Sequence, residues 1–197
     1  MMMQAVEPRD RGRGSVRRRV IAVLALTGAV LAWAAQPASS LTGTATITAG
    51  SLGFVSAPGN VSFAATLNGT DQTITQTQPI DVSDATGSGA GWNLTATSTT
   101  FTAGAKTLST SATTLTGAPT DACDAGATCN LATNSITYPY TLPAGATAPT
   151  ATKLFNAAAN TGLGNQTITP SWKLSVPAST QAGTYTSTWT LSLVSGP

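Results

Sequence analysis

Residues 166–176 read QTITPSWKLSV, and residues 184–194 read TYTSTWTLSLV. In the first stretch Ile168, Trp172, Leu174 and Val176 share one parity, and Thr167, Thr169, Ser171, Lys173 and Ser175 hold the other. In the second, Tyr185, Trp189, Leu191 and Leu193 point one way and a row of Thr and Ser points the other. Successive side chains of a strand leave opposite faces, so each stretch predicts a half-buried antiparallel strand. Working outward, similar runs predict strands at 42–48 (TGTATIT), 61–67 (VSFAATL), 73–82, 92–101 and 135–142. Asn68-Gly69 reads as a hairpin turn, because both residues tolerate positive φ. Pro79 and Pro139 belong at edges or bulges, since neither can donate to a ladder. The only segment with room for helical turns is 153–160 (KLFNAAAN). Seven or more short strands joined by turns, with no fixed repeat, predict an all-β, antiparallel β-sandwich, Ig-like or jelly-roll-like.

The charge is unevenly placed. All six arginines lie between Arg9 and Arg19, and an apolar run from Val20 to Leu31 follows, ending at Ala32-Trp33-Ala34. This is the pattern of a cleaved signal peptide over 1–34, because the run is shorter than the ~20 residues a membrane span needs. Residues 35–45 are then a short lead-in, and 46–197 a single domain. From residue 35 onward only Lys106, Lys153 and Lys173 stand against five aspartates, a net charge of −2. The exported part has no His, Arg or Glu. It therefore offers no histidine base, no guanidinium clamp and no cationic stripe for nucleic acid, and nothing downstream of the leader is a membrane segment.

Cys123 and Cys129 sit in the turn-rich stretch DACDAGATC of an exported chain, which predicts a local disulfide. Closing so short a loop is worth about 2 kcal/mol, enough to pin the loop but not to hold the domain. Two thiols without His cannot complete a zinc site, and Asp121 and Asp124 alone make a poor calcium site. No metal and no cofactor is expected. An enzyme is not expected either. The serines lack a base, and Asp81 and Asp84, an odd interval apart on one strand, would face opposite ways.

The Gly-rich segment 84–92 (DATGSGAGW) runs into a strand and carries no Lys, so it reads as a tight loop that positions Trp92 rather than as a phosphate loop. Trp92-Asn93-Leu94, Trp172-Lys173-Leu174 and Trp189-Thr190-Leu191 each put Trp and Leu on one strand face. Such a pair can be sandwich core, or a partly exposed aromatic platform for sugar rings or a partner protein.

These residues resemble the WxL domain family. Residues 66–101, in which the Gly-rich loop delivers Trp92-Asn93-Leu94, are similar to its first half. Residues 176–197 resemble its distal motif, with Tyr185, Thr190, Leu193 and Pro197 at the family's spacing. Here Trp189 takes an aliphatic slot and Leu191 the Trp slot, a shift of two residues that keeps the same face and marks a divergent WxL-like branch. The resemblance implies a secreted, extracellular protein that associates non-covalently with the peptidoglycan of the cell wall, often beside partner surface proteins. It nominates Trp92, Leu94, Tyr185, Trp189, Leu191 and Leu193 as binding residues. At −2, such a domain would rely on aromatic, hydroxyl and amide contacts rather than on attraction to acidic wall polymers. The alternative is an assembly or adhesin module that binds another surface protein without touching glycan.

Overall fold

The computed structural model describes residues 39–197, of which Ala45–Pro197 form one compact unit. The expected signal peptide, 1–34, lies outside the described residues. No helix occurs among those residues, and the strands, in order, are β1 (Leu52–Phe54), β2 (Gln72–Thr77), β3 (Ile80–Asp84), β4 (Trp92–Thr99), β5 (Thr102–Ala103), β6 (Lys106–Thr107) and β7 (Thr113–Leu115). They continue as β8 (Thr120–Cys123), β9 (Tyr140–Thr141), β10 (Ala144–Gly145), β11 (Thr152–Ala157), β12 (Gly164–Thr169), β13 (Ser171–Val176) and β14 (Trp189–Ser195). The chain is all-β and almost wholly antiparallel, as the alternation requires. The short β10 pairs with β4 in parallel.

Two long runs of chain organise the sheets. β12 and β13 are one stretch interrupted by Pro170, and β2 and β3 are one stretch interrupted at Gln78-Pro79. The two runs pair antiparallel in the same register on either side of the break, with Ile168 opposite Ile80 and Ser171 opposite Thr77. Each proline removes a ladder donor, so the sheet bends where both sit, and Gln78 N–H bridges the bend to the Pro170 carbonyl at 3.1 Å. The result is one sheet in the order β1-β3-β12-β8 that continues into another in the order β2-β13-β7-β9. A third sheet has β4 at its centre, with β14 on one edge and β11 and β10 on the other.

Every even-numbered residue from Gln166 to Val176 is buried. Ile168 and Trp172 join Ile80, Val82, Trp92, Leu94, Leu154 and Phe155 in the main core. Leu174 and Val176 belong to a smaller cluster with Leu108 and Ala112. The Cys123–Cys129 disulfide is formed, with Cα atoms 5.6 Å apart, at the end of β8.

Five local expectations are corrected. Residues 42–48 are exposed and in no strand. Of residues 61–67 only Val61 and Phe63 are half-buried, and the segment makes no ladder. Glutamine side chains hold this segment instead, Gln72 Nε2 donating to Thr66 O and Gln78 Nε2 to Gly59 O at 2.7 Å. Asn68-Gly69 is accordingly a turn but not a hairpin, Gly69 standing at φ +84° while Asn68 Oδ1 accepts from Thr70 N–H. Of 135–142 only Tyr140-Thr141 is strand, because the Asn156 and Asn134 side chains take up the preceding backbone donors Ser135 N–H and Ile136 N–H. Residues 153–160 form no helical turn. They open with most of β11, whose pairing with β4 outweighs the Ala-rich composition, and a register shift between Lys153 and Phe155 lets Leu154 and Phe155 both face inward.

Trp172 sits where the bend, the two sheets and the third sheet meet. It is 0% exposed, its ring lies edge-on to Trp189 at 5.0 Å, and its Nε1–H donates to Gln78 Oε1 at 2.9 Å. Trp172→Ala is expected to cost about 3–5 kcal/mol by the cavity it leaves. Chemical denaturation of the variant beside the wild type measures this directly.

Candidate functional site

The loop before β4 is built to deliver one side chain. Asp84 Oδ1 accepts from Thr86 N–H at 3.0 Å and from its hydroxyl at 2.6 Å, turning the chain at the end of β3. Gly91 follows at φ +73°, and any side chain there would collide with the Ala157 carbonyl. Gly162, at φ +74°, leaves room on the other side, since a Cβ would lie 2.6 Å from Trp92 Nε1. Gly91 thus lets the backbone before Trp92 press against the end of β11, while the Trp92 indole lies against Gly162, donates its N–H to Gly162 O at 2.9 Å, and stacks at a tilt on Phe155 with ring centres 5.9 Å apart.

The strand that follows lies directly beside the distal one. β4 and β14 pair with Leu94 opposite Leu193, Ala96 opposite Leu191, Ser98 opposite Trp189 and Ser195 opposite Trp92. The two Trp-x-Leu motifs thus share one face of one sheet, with their tryptophans at opposite ends. Trp189 stands across from the small Ser98 and fills an aromatic cluster with Trp172, Phe63 and Phe101 at centroid distances of 5.0–6.4 Å. Past β14 the chain is tied back to the start of β4. Gly196 N–H donates to Gly91 O at 2.9 Å and Asn93 Nδ2 to Gly196 O at 2.7 Å.

Exposure divides the six nominated residues. Trp92 and Leu94 are both 0% exposed, so in this conformation they act through packing. Trp189, Leu191 and Leu193 are half-buried against the same core. Tyr185 precedes β14, half-buried, and its hydroxyl donates to Gln181 O at 2.9 Å. It is the one residue of the six that lines a surface depression.

Two depressions flank Tyr185, each about 560 Å³. One is an apolar groove floored by Phe63, Ile74, Phe101, Leu108, Leu174 and Val176. The other is a polar cleft that brings Lys106, Thr107, Ser109, Ser179, Thr180 and Gln181 around the phenol ring. Lys106 Nζ is held over this cleft by donating to Ala182 O at 2.9 Å. These residues were missed by motif spacing because half lie around β6 and half in a loop between Pro177 and Gly183. The available signal was the loop itself, a polar segment between two well-formed strands.

With this geometry in view, comparison with protein families matches residues 36–197 to the family described as WxL domain, surface cell wall-binding. The chain belongs to the WxL family. No curated protein and no solved structure matches it. In this WxL domain the proximal and distal motifs are neighbouring strands of one sheet, and the match covers both.

Among the described residues no group of three or more Cys or Asp is placed to hold a metal ion. Asp84 is buried at the head of the Gly-rich loop, while Asp81 faces the other way, toward Asp124. Thr167 Oγ1 donates to Asp124 Oδ1 at 2.8 Å. Burial raises the Asp81 pKa above its ordinary 3.8, and a hydrogen bond and repulsion from Asp124 add to the rise. Burial likewise raises Asp121, against the opposing pull of the Ala132 and Ala122 N–H groups.

Two outcomes follow for this WxL domain. Gly91→Ala should destabilise it by about 2 kcal/mol or more, through both positive φ and collision. Gly87→Ala, at φ +63° with open space around it, should cost only about 1 kcal/mol. Denaturation midpoints distinguish the two. A carboxyl whose folded pKa is raised contributes stability below its unfolded value of 3.8, and this is lost as pH rises through the folded pKa. Asp81→Asn should therefore melt higher than wild type near neutral pH, with the gap closing below about pH 4, as thermal melts across pH will show.

Proposed function

We propose that this WxL domain is secreted and holds non-covalently to the peptidoglycan of the cell wall through the polar cleft beside Tyr185. The observation that carries this is the cleft's composition, a phenol ring, hydroxyls from Thr107, Ser109, Ser179 and Thr180, the Gln181 amide and the Lys106 ammonium. Peptidoglycan presents sugar rings with hydroxyl and amide groups, and peptide stems that end in carboxylates. An aromatic face suits the apolar side of a sugar, and hydroxyls and amides suit its edges. In a domain whose exported part is at −2, a single lysine in the cleft supplies the charge complement for a stem carboxylate without broad attraction to acidic polymers.

In this proposal Trp92, Leu94, Trp189, Leu191 and Leu193 form the frame and Tyr185 makes the contact. The strand pair fixes where Tyr185 emerges, because the backbone pair between Thr186 and Thr102, 2.9 Å in both directions, anchors the residue next to it. The domain binds and does not catalyse. A second proposal, a module that recognises a surface protein, is favoured by the apolar groove on the other side of Tyr185.

Co-sedimentation with washed sacculi tests the assignment. The exported wild-type chain should be retained, and Tyr185→Ala and Lys106→Ala should each weaken retention about tenfold, Lys106→Ala with unchanged melting temperature. Wild-type retention no greater than that of these variants would contradict the wall contact and favour a protein partner.

A further inference from the structure

Residues 41–48, LTGTATIT, alternate as strictly as any strand in the chain, with Leu41, Gly43, Ala45 and Ile47 on one parity and four threonines on the other. Yet none of them is in a strand, and Leu41 is 97% and Ile47 94% exposed. Among the described residues they make no backbone hydrogen bond. Among the described residues the first backbone hydrogen bond to the body is at Gly50, whose N–H donates to Ala85 O at 2.8 Å beside the end of β3. A β-prone, uncharged segment with its apolar parity in water is half of a pairing whose other half lies elsewhere.

The apolar groove beside Tyr185 has the complementary character. Ile74, Leu174, Val176 and Phe63 contribute to its floor, and none of its lining side chains is charged. From residue 36 to 70 the chain carries no charge either. Ile74 brings β2 to the groove, and among the described residues β2 pairs only with β13. The stretch from Gly59 to Thr66 is tethered to it by the Gln72 and Gln78 side chains rather than by a ladder.

Ala45 and Ile47 cannot fill the groove of their own chain. Ile47 is three residues from Gly50, so it stays within about 11 Å of that anchor. Ile74 lies eleven residues along β2 and β3 from Ala85, a separation of roughly 25 Å even with a right-angle bend at Gln78-Pro79. Residues 45–48, tied to Gly50, and Ile74 of the groove are at opposite ends of the same long strand.

We propose that the domain associates with further copies of itself head to tail, residues 41–48 of one copy lying as an added strand in the groove of the next. Ala45 and Ile47 face the apolar floor, and the threonines face out. Because the two surfaces differ and sit at opposite ends, the contact repeats without closing, and it extends into chains rather than a two-fold dimer.

Sedimentation velocity on chains produced from the full sequence and recovered after export tests this, without any wall material. The wild type should form a series of oligomers that lengthens from about 1 to 100 µM, as mass action requires. Ile47→Lys changes a side chain already in water, and Leu67→Lys a groove residue that is 38% exposed, so both should stay folded by circular dichroism and be monomeric. A mixture of Ile47→Cys and Leu67→Cys chains should crosslink to one another more than either does alone. A wild type that is monomeric throughout, oligomers that persist in Ile47→Lys, or a single closed dimer as the largest species would each overturn the proposal.

Discussion

The pairing of β4 with β14 is the constraint on which the rest depends. β4 is buried on nearly its whole length, flanked by β14 on one edge and β11 on the other. A one-residue slip in its register would turn Trp92 and Leu94 away from the core and bring Asn93 and Thr95 into it. The register is held at one end by Trp92 against Gly162 and at the other by Trp189 against Trp172. Each tryptophan is thereby a pin, and the strands between them carry small or aliphatic residues that fit face to face. The surface features descend from this. Tyr185 emerges where it does because the next residues must enter β14 in that register, and the two depressions lie on either side of it.

Much of the fold was legible because the burial is one-sided. In 166–176 the apolar parity survives across Pro170, and the structure buries every residue of that parity. The Gly-rich loop was legible for the same reason, a run of glycines ending at a large aromatic being the signature of a close backbone approach. What misled was alternation without a neighbour. Residues 42–48 and 61–67 look like β2 in composition, but a strand needs an edge to pair with, and pairing partners are distant in sequence. Residues 153–160 erred the other way. Leu154 and Phe155 are adjacent and both buried, which no simple period predicts, and only the bulge opposite β4 reconciles them.

The candidate site was less legible than the frame. The motif residues are large, apolar and evenly spaced, so spacing finds them, and Trp92 and Leu94 prove to lie wholly inside. The cleft is assembled from Lys106 on β6 and a loop some seventy residues later, a juxtaposition that exists only in three dimensions. From residue 35 onward the sequence has no His, Arg or Glu, so the polar groups at hand are rings, hydroxyls, amides and a few lysines, and the cleft is lined by these.

The central claim is that the proximal and distal motifs are one packed unit rather than two separate surfaces. A double-mutant cycle on Leu94→Ala and Leu193→Ala, read by equilibrium denaturation, tests it most directly because the two residues are direct cross-strand partners. The account predicts a coupling energy of about 0.5–1 kcal/mol or more between them. Effects that add to within about 0.3 kcal/mol would contradict it.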